Sequence, residues 1–201
     1  MKGSLIIVIF FISGTLCGMS ELIPEPLPIE RISFYALCAL MFSVGVGIGH
    51  SPELFKSFRS LDPRLVFLPA LTILGTLAGI TAASFALPTR SLTDCLAIGS
   101  GFGYYSLSSI FITTYRGAEL GTMALLANIF RELITLIGAP LLVRWFGRLA
   151  PISVGGATTM DTTLPIITRY SGQEFVIVSL FHGFVVDFSV PFLVTFFCSL
   201  N

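Results

Sequence analysis

A chain of 201 residues that is 54% hydrophobic and only 11% charged, with a mean hydropathy of +0.92, is too apolar for a soluble domain and reads as an all-α, polytopic membrane protein. Eleven basic residues balance eleven acidic ones and no basic patch forms, which excludes nucleic acid as a partner. Cys17, Cys38, Cys95 and Cys198 show neither CxxC nor ligand spacing, so they read as small apolar residues, and no metal or cofactor is implied.

Ser4–Ile23 follows a single Lys2, is near full span length and lacks an A-x-A site, so it is expected to stay as a first span rather than leave as a signal peptide. Pro24, Pro26 and Pro28 make an extended connection to a second span, Arg31–His50, whose GVGIGH end allows close backbone approach. His50 is expected at the interface. The Ser51–Arg64 loop holds Lys56, Arg59 and Arg64, the densest positive cluster, which points to the cytoplasm and puts the N-terminus there too. Leu65–Pro88 is a third span whose small residues, among them Gly75, Gly79 and Ala83, suit helix contact.

In Leu92–Tyr115, glycines at alternate positions (Gly99, Gly101, Gly103) weaken helix, while the hydroxyls of Ser106, Ser108 and Ser109 can satisfy freed backbone groups. The pattern predicts an interrupted helix or re-entrant segment, with a close helix crossing as the plain alternative. The G-x-G is no dinucleotide fingerprint, because no βαβ pattern surrounds it.

Leu120–Arg144 is the chain's most costly run, because Arg131 and Glu132 stand at its middle. Each ionised group near a bilayer midplane costs at least about 3 kcal/mol and usually marks a pathway or relay. Helical periodicity gathers Asn128, Arg131, Glu132, Thr135 and Ala139 on one face, opposite Ile129, Phe130, Leu133, Ile134, Leu136 and Ile137. A buried structural ion pair is the alternative.

Pro151–Tyr170 repeats the interrupted theme with Gly155 and Gly156, the threonines Thr158, Thr159, Thr162 and Thr163, one acid, and Pro165 as a helix breaker. If it enters the membrane, Asp161 must face protein or a wet cavity and becomes a site candidate; the alternative is an extramembrane loop. Glu174–Asn201 is a last apolar helix. It carries His182, a proton-handling or hydrogen-bonded core residue, and Asp187, read as structural because it points well away from His182 around the axis. The whole makes about six to seven hydrophobic segments in one transport domain, residues 1–201. Charge counting gives six basic residues against four whether Leu92–Tyr115 or Pro151–Tyr170 is taken as the true span, so it does not choose between them.

Three stretches, GSGFGYYSLSS at Gly99–Ser109, NIFRELI at Asn128–Ile134 and GGATTMDTTLPIITRYSG at Gly155–Gly172, with HGF at His182–Phe184, resemble the bacterial lysine exporter family of the LysO type from roughly Leu65 onward. The resemblance implies export of L-lysine, and of toxic analogues such as thialysine, across the bacterial inner membrane, with Glu132 and Asp161 as its acidic membrane residues. Many members carry a further N-terminal membrane region absent here. A split exporter is therefore expected, working with a small membrane subunit or as a homo-oligomer.

Lysine brings two ammonium groups and one carboxylate. Glu132 and Asp161 are expected to take the ammoniums and half-helix N-termini the carboxylate, with proton return on the emptied acids and Arg131 as resident counter-charge. Asn128, Ser106, Ser108, Thr158, Thr159 and His182 complete the expected site. Two rivals remain: a non-catalytic membrane subunit, and an intramembrane aspartyl-type hydrolase, for which the paired YD and GxGD motifs are missing.

Overall fold

The computed structural model describes residues 62–86 and 90–200, with isolated helical positions at 13, 16, 17, 32, 35, 39, 42 and 46. Apart from those isolated positions, the expected spans Ser4–Ile23 and Arg31–His50, and the loop from Ser51 to Leu61, lie outside the described residues. The chain divides into two units, Met1–Val46 and Gly47–Asn201, and the architecture below belongs to the second.

Every described element is helical. A 3-10 turn, Leu65–Phe67, leads into α1 (Leu68–Ser84). Then come α2 (Leu92–Gly99), α3 (Tyr105–Arg116), α4 (Ala118–Phe146), α5 (Ala150–Gly155), α6 (Leu164–Ser171) and α7 (Val176–Ser199). Among the described residues three stretches are long and apolar enough to cross a membrane: Leu65–Ser84, Ala118–Phe146 and Gln173–Ser199. The two stretches between them are not continuous helices. Leu92–Tyr115 is split into α2 and α3, and Pro151–Tyr170 into α5 and α6, each far below the roughly 20 residues a span needs.

Ion pairs fix how these split segments run. Arg116, the last residue of α3, lies 3.6 Å from Asp94 in the first turn of α2, so α2 and α3 leave from and return to the same end. Arg148 just before α5 lies 2.8 Å from Glu174 just after α6, which closes a second hairpin in the same way. Between the two mouths runs α4, whose 29 residues extend about 43 Å at 1.5 Å per residue. The first hairpin therefore opens at one end of α4 and the second at the other.

Antiparallel to α4 runs α7, which packs on α2, α3 and the Gly156–Met160 turn. Its last turn sits at the first mouth, where Arg116 donates to the carbonyls of Cys198 at 2.9 Å and Phe197 at 3.5 Å. A cation on orphan C-terminal carbonyls complements both hydrogen bonding and helix dipole. Arg90 pairs with Glu119 at this same end. At the opposite end Ile152, Ile167 and Val178 form a buried cluster covered by Leu65, Leu68, Leu149, Ile166 and Phe175.

Pro165 does not break a helix. It occupies the first turn of α6, where no backbone donor is needed. Gly99 is likewise no break but the last residue of α2, packed against Ile80. The second break begins at Gly156, where φ is +63° and ψ −127° and an added Cβ would strike the Phe102 carbonyl. Gly156→Ala is expected to destabilise the protein by about 1–3 kcal/mol, the usual cost of such backbone strain, and to lower its melting temperature in detergent. Gly138→Ala, whose new methyl meets only ordinary contacts at 3.9 Å, should leave melting unchanged or slightly raised.

Candidate functional site

The two hairpin tips, Ser100–Tyr104 and Gly156–Thr163, touch each other. The Ala157 amide donates to the Phe102 carbonyl at 2.9 Å, and the Gly103 α-carbon faces the Gly155 carbonyl so closely that a Cβ would sit 3.1 Å from it, at a φ of +95°. Phe102 itself has a φ of +46°, a strained setting for a bulky residue. It is completely buried, with the Arg131 guanidinium 5.6 Å above its ring. Packing on every side holds the strained backbone in place.

One turn of α4 holds both tips. Asn128 is buried; its side-chain oxygen accepts from the Gly103 amide at 2.7 Å, and its NH2 donates to the carbonyls of Ala124 at 2.8 Å and Ile98 at 3.4 Å and contacts the Ser108 hydroxyl at 3.3 Å. This amide thus spans the first break, with Ile98 in the last turn of α2 on one side and Gly103 on the other. Three residues on, Arg131 donates from Nε to the Val154 carbonyl at 2.8 Å and from Nη2 to the Ser153 carbonyl at 3.1 Å and the Thr76 hydroxyl at 3.4 Å. Ser153 and Val154 belong to the last turn of α5. The expected counter-charge role of Arg131 is corrected accordingly: among the described residues it forms no ion pair with Glu132 or Asp161 and instead donates to the last-turn carbonyls of a broken helix.

The remaining expected residues separate into scaffold and open positions. Gly101 lies against the Asn128 amide and the Ser108 hydroxyl, and Gly155 against Thr159, Thr163 and Thr135. Thr158 donates to the Gly155 carbonyl at 2.9 Å and meets Thr163 at 3.2 Å. Thr159 bonds the carbonyls of Gly156 and Ser179. His182, fully buried, joins Thr159 at 3.3 Å through Nδ1 and Thr72 at 2.9 Å through Nε2, tying α1, α7 and the second tip together as a core histidine. Ser108 bonds back to the Tyr104 carbonyl at 2.7 Å, whereas Ser106 is exposed.

The acids divide in the same way. Of those described, Asp94, Glu119 and Glu174 have arginine partners, and Asp62 accepts from the Arg64 amide. Glu132, Asp161 and Asp187 have no cationic partner among the described residues. Glu132 is half-buried on α4 and Asp161 exposed at the second tip, where it accepts only from its neighbour Thr162. No bond joins Glu132 to Asp161. The residues missed in the sequence are Asp187 and Tyr104: Asp187 and Asp161 are close enough for their charges to act on each other, and both act on the Tyr104 hydroxyl. The wheel position that set Asp187 apart from His182 was the available signal, since His182 faces the core.

A separate open groove of about 540 Å³ runs between α1, α4 and α5, lined by Leu71, Thr72, Thr76, Phe130, Arg131 and Ser153 among others. It holds none of the three unpaired acids, and its arginine is engaged with carbonyls.

Asn128→Ala and Arg131→Gln should both lose folded protein, because each leaves buried carbonyls or amides without partners at about 1–3 kcal/mol per group. Arg131→Gln should be the worse, having two α5 carbonyls to strand. Monodispersity and melting temperature after detergent extraction measure this, with Glu132→Gln, which strands nothing, as the control.

The chain matches the family model described as lysine exporter LysO over residues 8–198. It is 34% identical over 165 residues to the lysine exporter LysO of Escherichia coli strain K12, covering 82% of this chain and 54% of that protein. The chain thus spans about half the length of that relative. It is 33% identical over 167 residues to a protein of Haemophilus influenzae strain Rd provisionally named a lysine exporter, covering 83% of this chain and 84% of that one. No solved structure matches. With its apolar helices this makes a multi-pass inner-membrane protein, and the chain belongs to the LysO lysine exporter family.

Proposed function

We propose that the chain exports L-lysine, and analogues such as thialysine, across the bacterial inner membrane in exchange for protons. Family membership supports the class of activity. The observation that carries the reading is charge: apart from Asp62, exposed ahead of α1, the described acids left without a cationic partner are Glu132, Asp161 and Asp187, and these three lie on the middle of long helices or on a hairpin tip, where a diffusible cation is the available counter-charge. In this reading the two hairpins are re-entrant, one from each side of the membrane, and the whole chain works as one transport domain.

Lysine's ammoniums are taken by Glu132 and Asp161. Its carboxylate suits the start of α3, which has no side-chain cap and leaves the Ser106 and Leu107 amides free to donate. Unbonded carboxylates that lose lysine can accept protons and return neutral, which couples export to proton entry. Alternating access follows if each hairpin in turn yields at its own mouth while the tips stay docked on α4. A small membrane subunit or a second copy of the chain is a partner this reading admits; thialysine resistance of export-deficient cells carrying the chain alone or with that subunit tests for it.

In proteoliposomes, Glu132→Gln and Asp161→Asn should each insert normally and lower labelled-lysine efflux by about tenfold or more, with the double variant no worse than either single. Efflux at wild-type rate from well-folded Glu132→Gln protein, with unchanged response to a pH gradient, rejects the mechanism. Release of labelled lysine without covalent turnover also separates an exporter from an acid-pair hydrolase.

The membrane orientation follows from charge. Arg64, Arg144, Arg148 and Arg169 gather at the mouth of the second hairpin, against Arg90 and Arg116 at the first, each of those two beside an acid. The second mouth is therefore cytoplasmic. On a cysteine-free background, Gln173→Cys should resist a membrane-impermeant maleimide in intact cells and react in inverted vesicles, and Ala118→Cys should do the reverse.

A further inference from the structure

The lysine reading uses two acids, yet a third, Asp187, is also unpaired. It is only 7% exposed, lies near the middle of α7 and has no hydrogen-bond or ion-pair partner among the described residues. Among the described residues the Ser171 hydroxyl is the sealed side-chain polar atom that lacks a partner, so the Asp187 oxygens, equally unpartnered, are not fully sealed. Pro191, four residues on within α7, has no N–H to give the Asp187 carbonyl, which leaves a main-chain acceptor at the same place. An unpaired charge at this depth is retained only where something neutralises it.

Its position follows from packing. Gly183, one helical turn earlier on the same face, lies so close to the second tip that a Cβ there would be 2.7 Å from the Met160 amide. Asp187 therefore continues the face of α7 that meets Met160 and Asp161. Tyr104 belongs to the first tip and directly follows Gly103, which contacts Gly155 at the end of α5 and Thr158 of the second tip. Two carboxylates and a phenol are thus carried by three segments that pack on one another, with no arginine or lysine among the described residues bonded to either acid.

We propose that Asp187, Asp161 and Tyr104 form a socket for one primary ammonium of the transported amino acid, with Asp187 as a substrate-binding residue. An ammonium has three donors and no acceptor, which matches three acceptor side chains around a site of net negative charge. The proposal rests on the export reading and adds to it: Asp161 shares its ammonium with Asp187, and Glu132 serves the other end of the molecule. A sodium ion has the same charge and favours the same oxygens, so the test includes it.

The test is lysine–lysine exchange by the full chain in proteoliposomes, which needs no net proton movement, run in sodium-free potassium buffer. Wild-type exchange, in this buffer or with sodium added, establishes the export reading independently; if it is absent in both, that reading fails before Asp187 is examined. With exchange present, Asp187→Asn, checked for monodispersity and melting, should raise the KM for lysine about tenfold or more, the scale of losing one charge-assisted contact. Tyr104→Phe should raise it severalfold with kcat nearly unchanged, and it decides the matter if Asp187→Asn does not fold. Wild-type KM in folded Asp187→Asn overturns the proposal, even if proton-driven efflux is lost. Wild-type KM in Tyr104→Phe, or exchange that requires sodium and loses that requirement in Asp187→Asn, overturns it as well.

Discussion

The architecture hangs on one turn of α4. Breaking a helix inside a membrane exposes carbonyls and amides that lipid cannot satisfy, and each unsatisfied group costs several kcal/mol. Here two helices are broken, and Asn128 and Arg131 supply the partners for both. The amide of Asn128 is donor and acceptor at once, so it can bond the outgoing end of α2 and the incoming backbone at Gly103. Arg131 needs only to donate, and its planar fork reaches adjacent carbonyls of α5. Position i and position i+3 face the same way on a helix, which lets one turn serve two tips.

That arrangement makes the charges legible. A buried arginine committed to carbonyls offers no salt bridge, so the acids near it stay available. At the membrane ends the opposite holds: Arg116, Arg148 and Arg90 each close a mouth against an acid. Fixed charges are thus neutralised at the hairpin mouths, and in the mechanism we propose the acids left unneutralised are where a cationic cargo binds and leaves. A site with its own resident arginine partner would hold lysine weakly, since the two cations would compete for the same carboxylates.

Much of this was readable in the residues. Composition and run length determine an all-α membrane protein, and glycines followed by hydroxyls mark both interruptions, alternate at Gly99–Gly103 and adjacent at Gly155–Gly156, because helix propensity and backbone hydrogen bonding are local properties. Arg131, Glu132 and Asp161 stand out for the same local reason, as charges inside apolar runs. The family motifs lie in these same stretches, which is why the resemblance and the chemistry point to one region. Less was readable of individual roles. Pro165 looks like a breaker until its place in the first turn of α6 is known, and Gly99 looks like a break but is a contact.

Tertiary structure alone decided which charges meet. Each hairpin mouth joins residues 22 or 26 apart in the chain, and charge counting along the sequence cannot tell a hairpin from a span, because both leave the same residues in the same loops. Arg131 beside Glu132 reads as an ion pair on a one-dimensional chain; in three dimensions the carbonyls of Ser153 and Val154 are its partners. Asp187 and Tyr104 are separated by most of the described chain; Asp187 stands out locally as a charge in an apolar run, but nothing local ties it to Tyr104. Sequence determines what each segment must satisfy, whereas the partners that satisfy it come from other segments, and only their packing fixes which groups are left over for a ligand.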